Sequence, residues 1–338
     1  MEKKAKITQE QLIEMESAPK TRAQIVLDYI VCFLPLVCMG AASVEYWMIP
    51  NDSTNANPMT YQYFIVACAV AYAIWLFVSL PKKEKLRKVR YKAPLYCGIT
   101  IALLVYDILT LKTGILTTPF FPWVNQILNA MVSDRAYLLE STLSTLKLLA
   151  NGYFVGAGLG LITGVACGYS KKVNYWIQPI MKFLGPIPTT TWIPVIMVLV
   201  SSLYRGSVFI IALGVWYSVA LATITGIANV EKSYFEAART LGAKERHMVF
   251  RIAIPSAIPN IFQGLTQGMT IACTALLVAE MMGTESGLGW YITWQKSWAM
   301  YANMYAAIIL ICIIFTIVTF ILNRIRKACT RWQKGVIQ

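Results

Sequence analysis

Charge is scarce in this chain. Asp, Glu, Lys and Arg make up 14% of its 338 residues, against roughly a quarter in soluble domains. Acid is the scarcer sign, with 16 Asp and Glu against 30 Lys and Arg. Histidine occurs once, as His247. No CxxC pair exists, so the usual metal and redox spacings are missing. A single histidine supplies no Ser-His-Asp or Cys-His set. No G-x-x-x-x-G-K-[ST] loop is present to cradle a nucleotide. These absences exclude a soluble globular protein, a disordered chain and a disulfide scaffold. They give no ground to expect catalysis, a metal or a cofactor in this chain.

Apolar residues are abundant. They form 57% of the chain, and the mean hydropathy is +0.57. Seven of the eight cysteines lie inside apolar runs and Cys329 lies in a basic tail, which reads as packing rather than bridging. A helix of about 20 apolar residues crosses a bilayer. Eight such runs are expected, near residues 25–49, 61–80, 93–116, 146–169, 183–204, 207–230, 260–282 and 302–323. The fold class is therefore an all-α integral membrane protein. Residues 1–22 are too charged for a cleaved signal, and Thr8-x-x-Gln11 can cap a short amphipathic helix there.

Basic residues set the orientation. With both termini cytoplasmic, 25 Lys and Arg fall on the inner side and 5 on the outer. The net charge of +14 is thus assigned to a membrane face and not to nucleic acid. The run Pro81-Lys-Lys-Glu-Lys-Leu-Arg-Lys-Val-Arg-Tyr-Lys92 divides the chain. Residues 1–92 hold a tail, two extra spans and this basic linker, and 93–338 hold a six-span unit. The run reads as an orientation anchor, with anionic-lipid binding as the second reading.

The inner segment 231–259 carries the most information. Ser233-x-x-Glu236 reads as a capping box, Ala237, Ala238 and Leu241 favour helix, and Gly242 is a C′ stop. A second helix then runs from about Ala243 to Pro255, where proline forbids continuation. Phe235, Ala238, Leu241, Met248, Val249 and Ile252 give the pair apolar faces. His247, alone in this loop, reads as a surface residue.

Glu236-Ala237-Ala238, then Gly242, then Ile252-x-Ile254-Pro255 resembles the EAA loop of ABC-transporter permeases. The family pattern ends in I-x-L-P, so Ile254 departs from it while staying apolar. Pro186-x-Pro188 with Trp192-x-Pro194, Ala279-Glu280 and Gly287-x-Gly289 extend the likeness to the nitrate/sulfonate/taurine branch of binding-protein-dependent permeases, from about Ala93 onward. The resemblance implies that Glu236, Ala237, Ala238, Gly242, Ile252 and Pro255 belong to a loop docking on a cytoplasmic ATPase. It implies a homodimer, two copies of that ATPase holding ATP and Mg2+, and an external substrate-binding protein. The cargo it implies is a small anion such as a sulfonate, taurine or nitrate. An ion-coupled secondary transporter is the alternative.

Three spans carry further patterns. Gly152, Gly156, Gly160, Gly164 and Gly168 recur every fourth residue, which lets helix backbones approach. Their partner is a neighbouring span of the same chain, or the dimer mate. Thr189, Thr190, Thr191 and Trp192 stand among three prolines and line a pathway or sit in a kinked, packed helix. Gln263, Thr266, Gln267, Thr270 and Thr274 share one helical face, for a pathway or for interhelical hydrogen bonds. Glu280, at the outer end, is a solvated charge or part of a gate, and Asp107 has Lys112 nearby as a partner. Trp290, Trp294 and Trp298 mark an outer interfacial helix, or a surface for the binding protein.

Overall fold

The computed structural model describes residues 22–52 and 54–331; the proposed cap at Thr8 and Gln11 lies outside them. Among the described residues the regular structure is helical. Among the described residues, seven helices are long and apolar enough to cross a membrane, and a bent pair makes eight. The chain forms two compact units that divide at Asn129 and Ala130.

The first unit packs α1 (Arg22–Met48), α2 (Met59–Ser79) and α3 (Lys83–Asp107), which is prolonged by a π turn, Ile108–Lys112. The run expected as a linker is therefore the first turns of α3, because Lys, Arg and Leu are good helix formers. The third span belongs to this unit too, rather than opening the second. Cys32, Tyr72, Leu76 and Val89 form one cluster, and Ala42, Tyr46, Tyr61, Ile65, Leu111 and Trp123 another. Lys112 is buried, and its hydrogen bonds go to groups other than the Asp107 carboxylate. Its ammonium donates to the carbonyls of Tyr46 and Ile49, both at 2.7 Å, and to Asn51 Oδ1 at 2.8 Å. A cation there satisfies the orphan carbonyls of α1 and the negative end of its dipole. Asn125, fully buried, accepts from the Tyr61 amide at 3.0 Å and so caps α2 from a distance. It extends from α4 (Val124–Ser133), within which the units divide.

The second unit is built on α5 (Arg135–Tyr169), α8 (Leu203–Ala228) and α11 (Ile254–Gly283). Between α5 and α8 run α6 (Lys171–Leu184), a 3-10 turn (Thr189–Trp192) and α7 (Ile193–Leu199). The span expected at 183–204, among three prolines, is this pair, bent by 87° at Gly185–Pro188. Prolines at 186 and 188 remove two donors and restrict the residues before them, so no helix passes through. Two short helices, α9 (Lys232–Thr240) and α10 (Glu245–Met248), follow α8. A π turn, Val249–Ala253, joins α10 to α11. Pro255 does not stop the helix. The wider turn before it takes up the missing donor and the ring, and one apolar helix runs from Glu245 to Gly283. The short α12 (Leu288–Ser297) and the span α13 (Tyr301–Cys329) complete the unit.

The glycine row packs within the chain. A Cβ on Gly152, Gly160 or Gly164 would lie 2.6–2.8 Å from the Cβ of Ile211, Val219 or Thr223; on Gly168 it would lie 3.0 Å from that of Ile227. Gly156 meets Ala212 and Val215 in the same way. The α8 partners also recur every fourth residue, so two i±4 ridges interlock. On the other side of α8, a Cβ on Gly264 would meet Ala222 at 2.5 Å and one on Gly226 would meet Asn260 at 2.9 Å. In lipid no hydrophobic force drives one apolar helix onto another, so close backbone contact carries the association.

Gly160→Ala places a methyl 2.9 Å from the Trp216 carbonyl oxygen and should cost about 1–3 kcal/mol, the usual range for overpacking. Gly158 has nothing within 4 Å of its Cβ position, so Gly158→Ala should be neutral. Thermal unfolding of the purified variants checks the contrast; equal melting temperatures would contradict this packing.

Candidate functional site

Two features of the second unit stand out: a protruding helical loop and a cavity with polar groups set among apolar ones. In the loop, the first turn of α9 forms without the expected capping box. Glu231 takes the cap position, and the Ser233 hydroxyl donates to its carboxylate at 3.2 Å. The end of α9 is as expected. Gly242 has φ +77; its amide donates to the Arg239 carbonyl at 2.9 Å and the Ala243 amide to that of Ala238 at 3.0 Å. Those two bonds make a Schellman motif, which needs a left-handed residue at that point. An Arg239–Glu245 ion pair at 3.9 Å bridges the turn, and the Tyr169 hydroxyl of α5 donates to Glu245.

One side of the loop is anchored. Phe235 packs on Ile227, Ala253, Ala257 and Ile261, and Met248 is buried. The other side is bare: Glu236, Ala237 and Gly242 are exposed, and Leu241 is 87% exposed. Ala238, Ile252 and Pro255 are half-buried on the anchored side. Leu241, expected on an apolar inner face, instead projects outward, because the Schellman turn lifts the chain off the core. His247 is exposed, as expected.

The cavity lies between the α6–3-10 segment, α8 and α11. Its larger lobe holds about 430 Å³ and is lined by Thr189, Thr190, Trp192, Gln267, Thr270 and Thr274, with Trp216 and Tyr217 of α8. The smaller lobe holds about 230 Å³ and includes Asn260, Gln263 and Gln267. Tyr217, Gln267 and Ile271 line both lobes. From Gln263 to Thr274 the face extends about 16 Å along α11 at 1.5 Å per residue. No lining side chain is charged. The space suits a small solute, held by hydroxyl, amide and indole groups. Thr191 and Thr266 do not line it; the Thr266 hydroxyl donates to the Phe262 carbonyl at 2.8 Å. Trp216 and Tyr217 escape a sequence reading because they stand in an apolar stretch without a polar period, whereas Asn260 extends the Gln263–Thr274 face by one turn.

Glu280 is in neither lobe and is not solvated, being 1% exposed. Its carboxylate accepts from the Thr145 hydroxyl and the Gly289 amide, each at 2.8 Å. Thr145 in turn accepts from the Leu288 amide at 2.8 Å. Glu280 and Thr145 therefore cap α12 from two other helices, and an anion at a helix N-terminus is favoured by the dipole. The Gly287-x-Gly289 pair has the same origin. Gly287 has φ +117 and lies against the carboxylate, and a Cβ on Gly289 would be 2.8 Å from that of Glu280. Along α12, the Trp290 and Trp294 rings stack at 5.5 Å and Trp298 meets Trp294 edge-on at 6.0 Å. Tyr291 turns inward: its hydroxyl donates to Asp134 at 2.7 Å, beside Asn303. Burial pushes the Tyr291 phenol up, and the Asp134 hydrogen bond adds to the shift.

An all-helical membrane protein with such a loop and cavity has the form of a solute permease. The family "Binding-protein-dependent transport system inner membrane component" matches residues 156–334, more than half of the chain. The chain belongs to this family and is a multi-pass protein of the cytoplasmic membrane. The matched region starts within α5, later than the likeness from Ala93 read in the sequence.

Relatives include a protein of Methanocaldococcus jannaschii, provisionally named an ABC transporter permease, 26% identical over 186 residues (53% of this chain, 66% of the relative). The Bacillus subtilis protein SsuC, provisionally named for aliphatic sulfonates transport, is 31% identical over 108 residues (32% and 39%). The bicarbonate transport system permease CmpB of Synechococcus elongatus is 25% identical over 120 residues (36% and 43%). These alignments span between about two-fifths and two-thirds of the relatives' length. Among solved structures, a chain of the inward-facing MetNI methionine ABC transporter shares the fold, with a TM-score of 0.51 and 21% identity. The match covers 59% of this chain and 98% of that one.

Glu280→Ala leaves the Gly289 amide buried without its acceptor, a loss of about 1–3 kcal/mol. The variant should melt lower and exchange the Leu288 and Gly289 amide hydrogens faster. Glu285→Ala, at an exposed neighbour, should change neither. Unaltered exchange in Glu280→Ala would contradict the cap.

Proposed function

We propose that this chain is the membrane-spanning subunit of an ATP-driven importer for a small solute. It acts as a homodimer, with both termini cytoplasmic. ATP and Mg2+ are held by a separate ATPase, two copies of which dock on the paired loops 231–259. A substrate-binding protein delivers cargo on the outer side. The exposed Glu236–Gly242 surface, anchored behind by Phe235 and Met248, is the observation that carries this reading. It sits between α8 and α11, which form two of the cavity's walls, so a displacement of the loop is transmitted to the cavity.

The cargo is a small anion such as a sulfonate, taurine, nitrate or bicarbonate. The names of the relatives support that class. The neutral lining supports it as well: hydroxyl and amide donors bind an anion without fixing it, and a conducted ion must be able to leave.

Gly242→Pro forces φ near −65° on a residue at +77° and removes the amide that bonds Arg239. Combined with Glu236→Ala it should lower ATP-driven uptake at least tenfold, with the chain still inserted in the membrane. Co-purification with the ATPase and uptake in proteoliposomes measure this. Transport that persists without an ATPase would replace the reading with an ion-coupled secondary transporter.

Gln267 lines both lobes. Gln267→Trp should abolish uptake while the ATPase still docks; full uptake would place the pathway elsewhere.

A further inference from the structure

The first unit, which lies outside the family match, contains a groove that the permease reading does not use. Its apolar part holds about 480 Å³ between α1, α2 and α3, with walls that include Phe64, Cys68, Tyr72 and Trp75 of α2 and Tyr96, Ile99 and Leu103 of α3. A second hollow of about 690 Å³ lies at the basic end of α3, where Lys85, Lys88, Tyr91 and Lys92 face Trp75 and Val78 of α2. Trp75 lines both, so the two adjoin at its ring.

The α3 wall of both hollows is one stripe. Residues 85, 88, 92, 96, 99 and 103 recur at intervals of three or four and share a helix face. The stripe is cationic over its first half and apolar over its second. From Lys92 to Leu103 the rise is about 16 Å at 1.5 Å per residue, close to half of the roughly 30 Å hydrocarbon core. An acyl chain from one leaflet therefore fits the apolar half, and its headgroup falls beside the lysines. One acid, Glu84, lines the basic hollow, so the local charge there favours an anion.

We propose that this groove binds one anionic phospholipid, with its phosphate on Lys85, Lys88 and Lys92 and an acyl chain along Tyr72, Trp75, Tyr96 and Ile99. Basic pockets between spans are a recognised way of holding acidic headgroups. The site is distinct from the cargo cavity, which lies in the other unit and has a neutral lining.

The test uses the full chain in nanodiscs and native mass spectrometry after detergent release. The lipids are phosphatidylglycerol and phosphatidylcholine with matched acyl chains. The chain should retain one phosphatidylglycerol at least tenfold more tightly than phosphatidylcholine. Lys85→Gln/Lys88→Gln/Lys92→Gln should remove that preference. Arg324→Gln/Arg326→Gln/Lys327→Gln, which takes the same charge from α13, should keep it. Ala71→Trp, which fills the apolar half, should release the lipid with all lysines in place. Glycerol phosphate at millimolar concentration should not displace it. Equal retention of the two lipids, equal loss in both charge variants, unaltered retention in Ala71→Trp, or displacement by glycerol phosphate would each overturn the proposal.

Discussion

The second unit depends on backbone packed against backbone. In water, burying a leucine stripe would bring α5 and α8 together; in lipid that gain vanishes, because the surroundings are as apolar as the stripe. What remains is dispersion at short range, summed over many atoms. Five glycines on α5 remove the side chains that would hold α8 away, and Ile211, Val215, Val219, Thr223 and Ile227 fill the row they leave. Gly226, Gly264 and Gly268 repeat the arrangement between α8 and α11. With α8 held on both flanks, its remaining face, at Leu213, Trp216 and Tyr217, opens to the cavity.

This packing gives the α9–α10 loop its mechanical sense. The chain leaves α8 at Ala228, makes the α9–α10 pair and re-enters as α11. Phe235 fastens α9 to the same two helices, and Tyr169 fastens the loop to the end of α5. A load on the exposed Glu236–Gly242 surface is thus carried into three interlocked helices instead of being lost in a flexible turn. At the far end of α11, Glu280 and Thr145 tie α12 to α11 and α5. The aromatic helix is thereby joined to the core. The buried carboxyl group is tolerated in the membrane because both of its oxygens accept hydrogen bonds, from the Thr145 hydroxyl and the Gly289 amide.

Much of this is legible in the sequence, and the gaps have physical causes. Span number and most span positions follow from hydropathy. The glycine row announces a close contact, though not its partner, since a four-residue period is the same for a neighbour in the chain and for a dimer mate. The Gln263–Thr274 face is readable because five polar residues in a lipid-depth helix need a wet or polar neighbour. Its opposite wall is not, because Trp216 and Tyr217 look like ordinary apolar filling until α8 is rotated into place. The solvated reading of Glu280 fails for a related reason. Position along a helix suggests depth, but only the fold brings Thr145 and the Gly289 amide, 135 residues apart from and 9 residues beyond it, to its two oxygens. Pro255 reads as a stop by a rule for regular helices, and a π turn evades that rule.

The first unit solves the lipid packing problem by another route. In place of glycine ridges it uses large rings and buried polar side chains: Tyr46 against Tyr61 at 5.0 Å, Tyr72 against Tyr96 at 5.7 Å, Lys112 on the end of α1, and Asn125 at the start of α2. Gly40 and Gly98, in the middle of α1 and α3, have nothing within 4 Å of a Cβ position and bring no backbones together. Rings joined edge to face keep helices apart and leave a gap that no side chain of the unit fills. In water such gaps would close or fill with solvent; in a bilayer the available filler is an acyl chain, whose methylenes supply the missing dispersion contacts. A lysine row in register with one gap then decides which lipid fills it. The lipid is, on this view, the packing element that glycine makes unnecessary in the other unit.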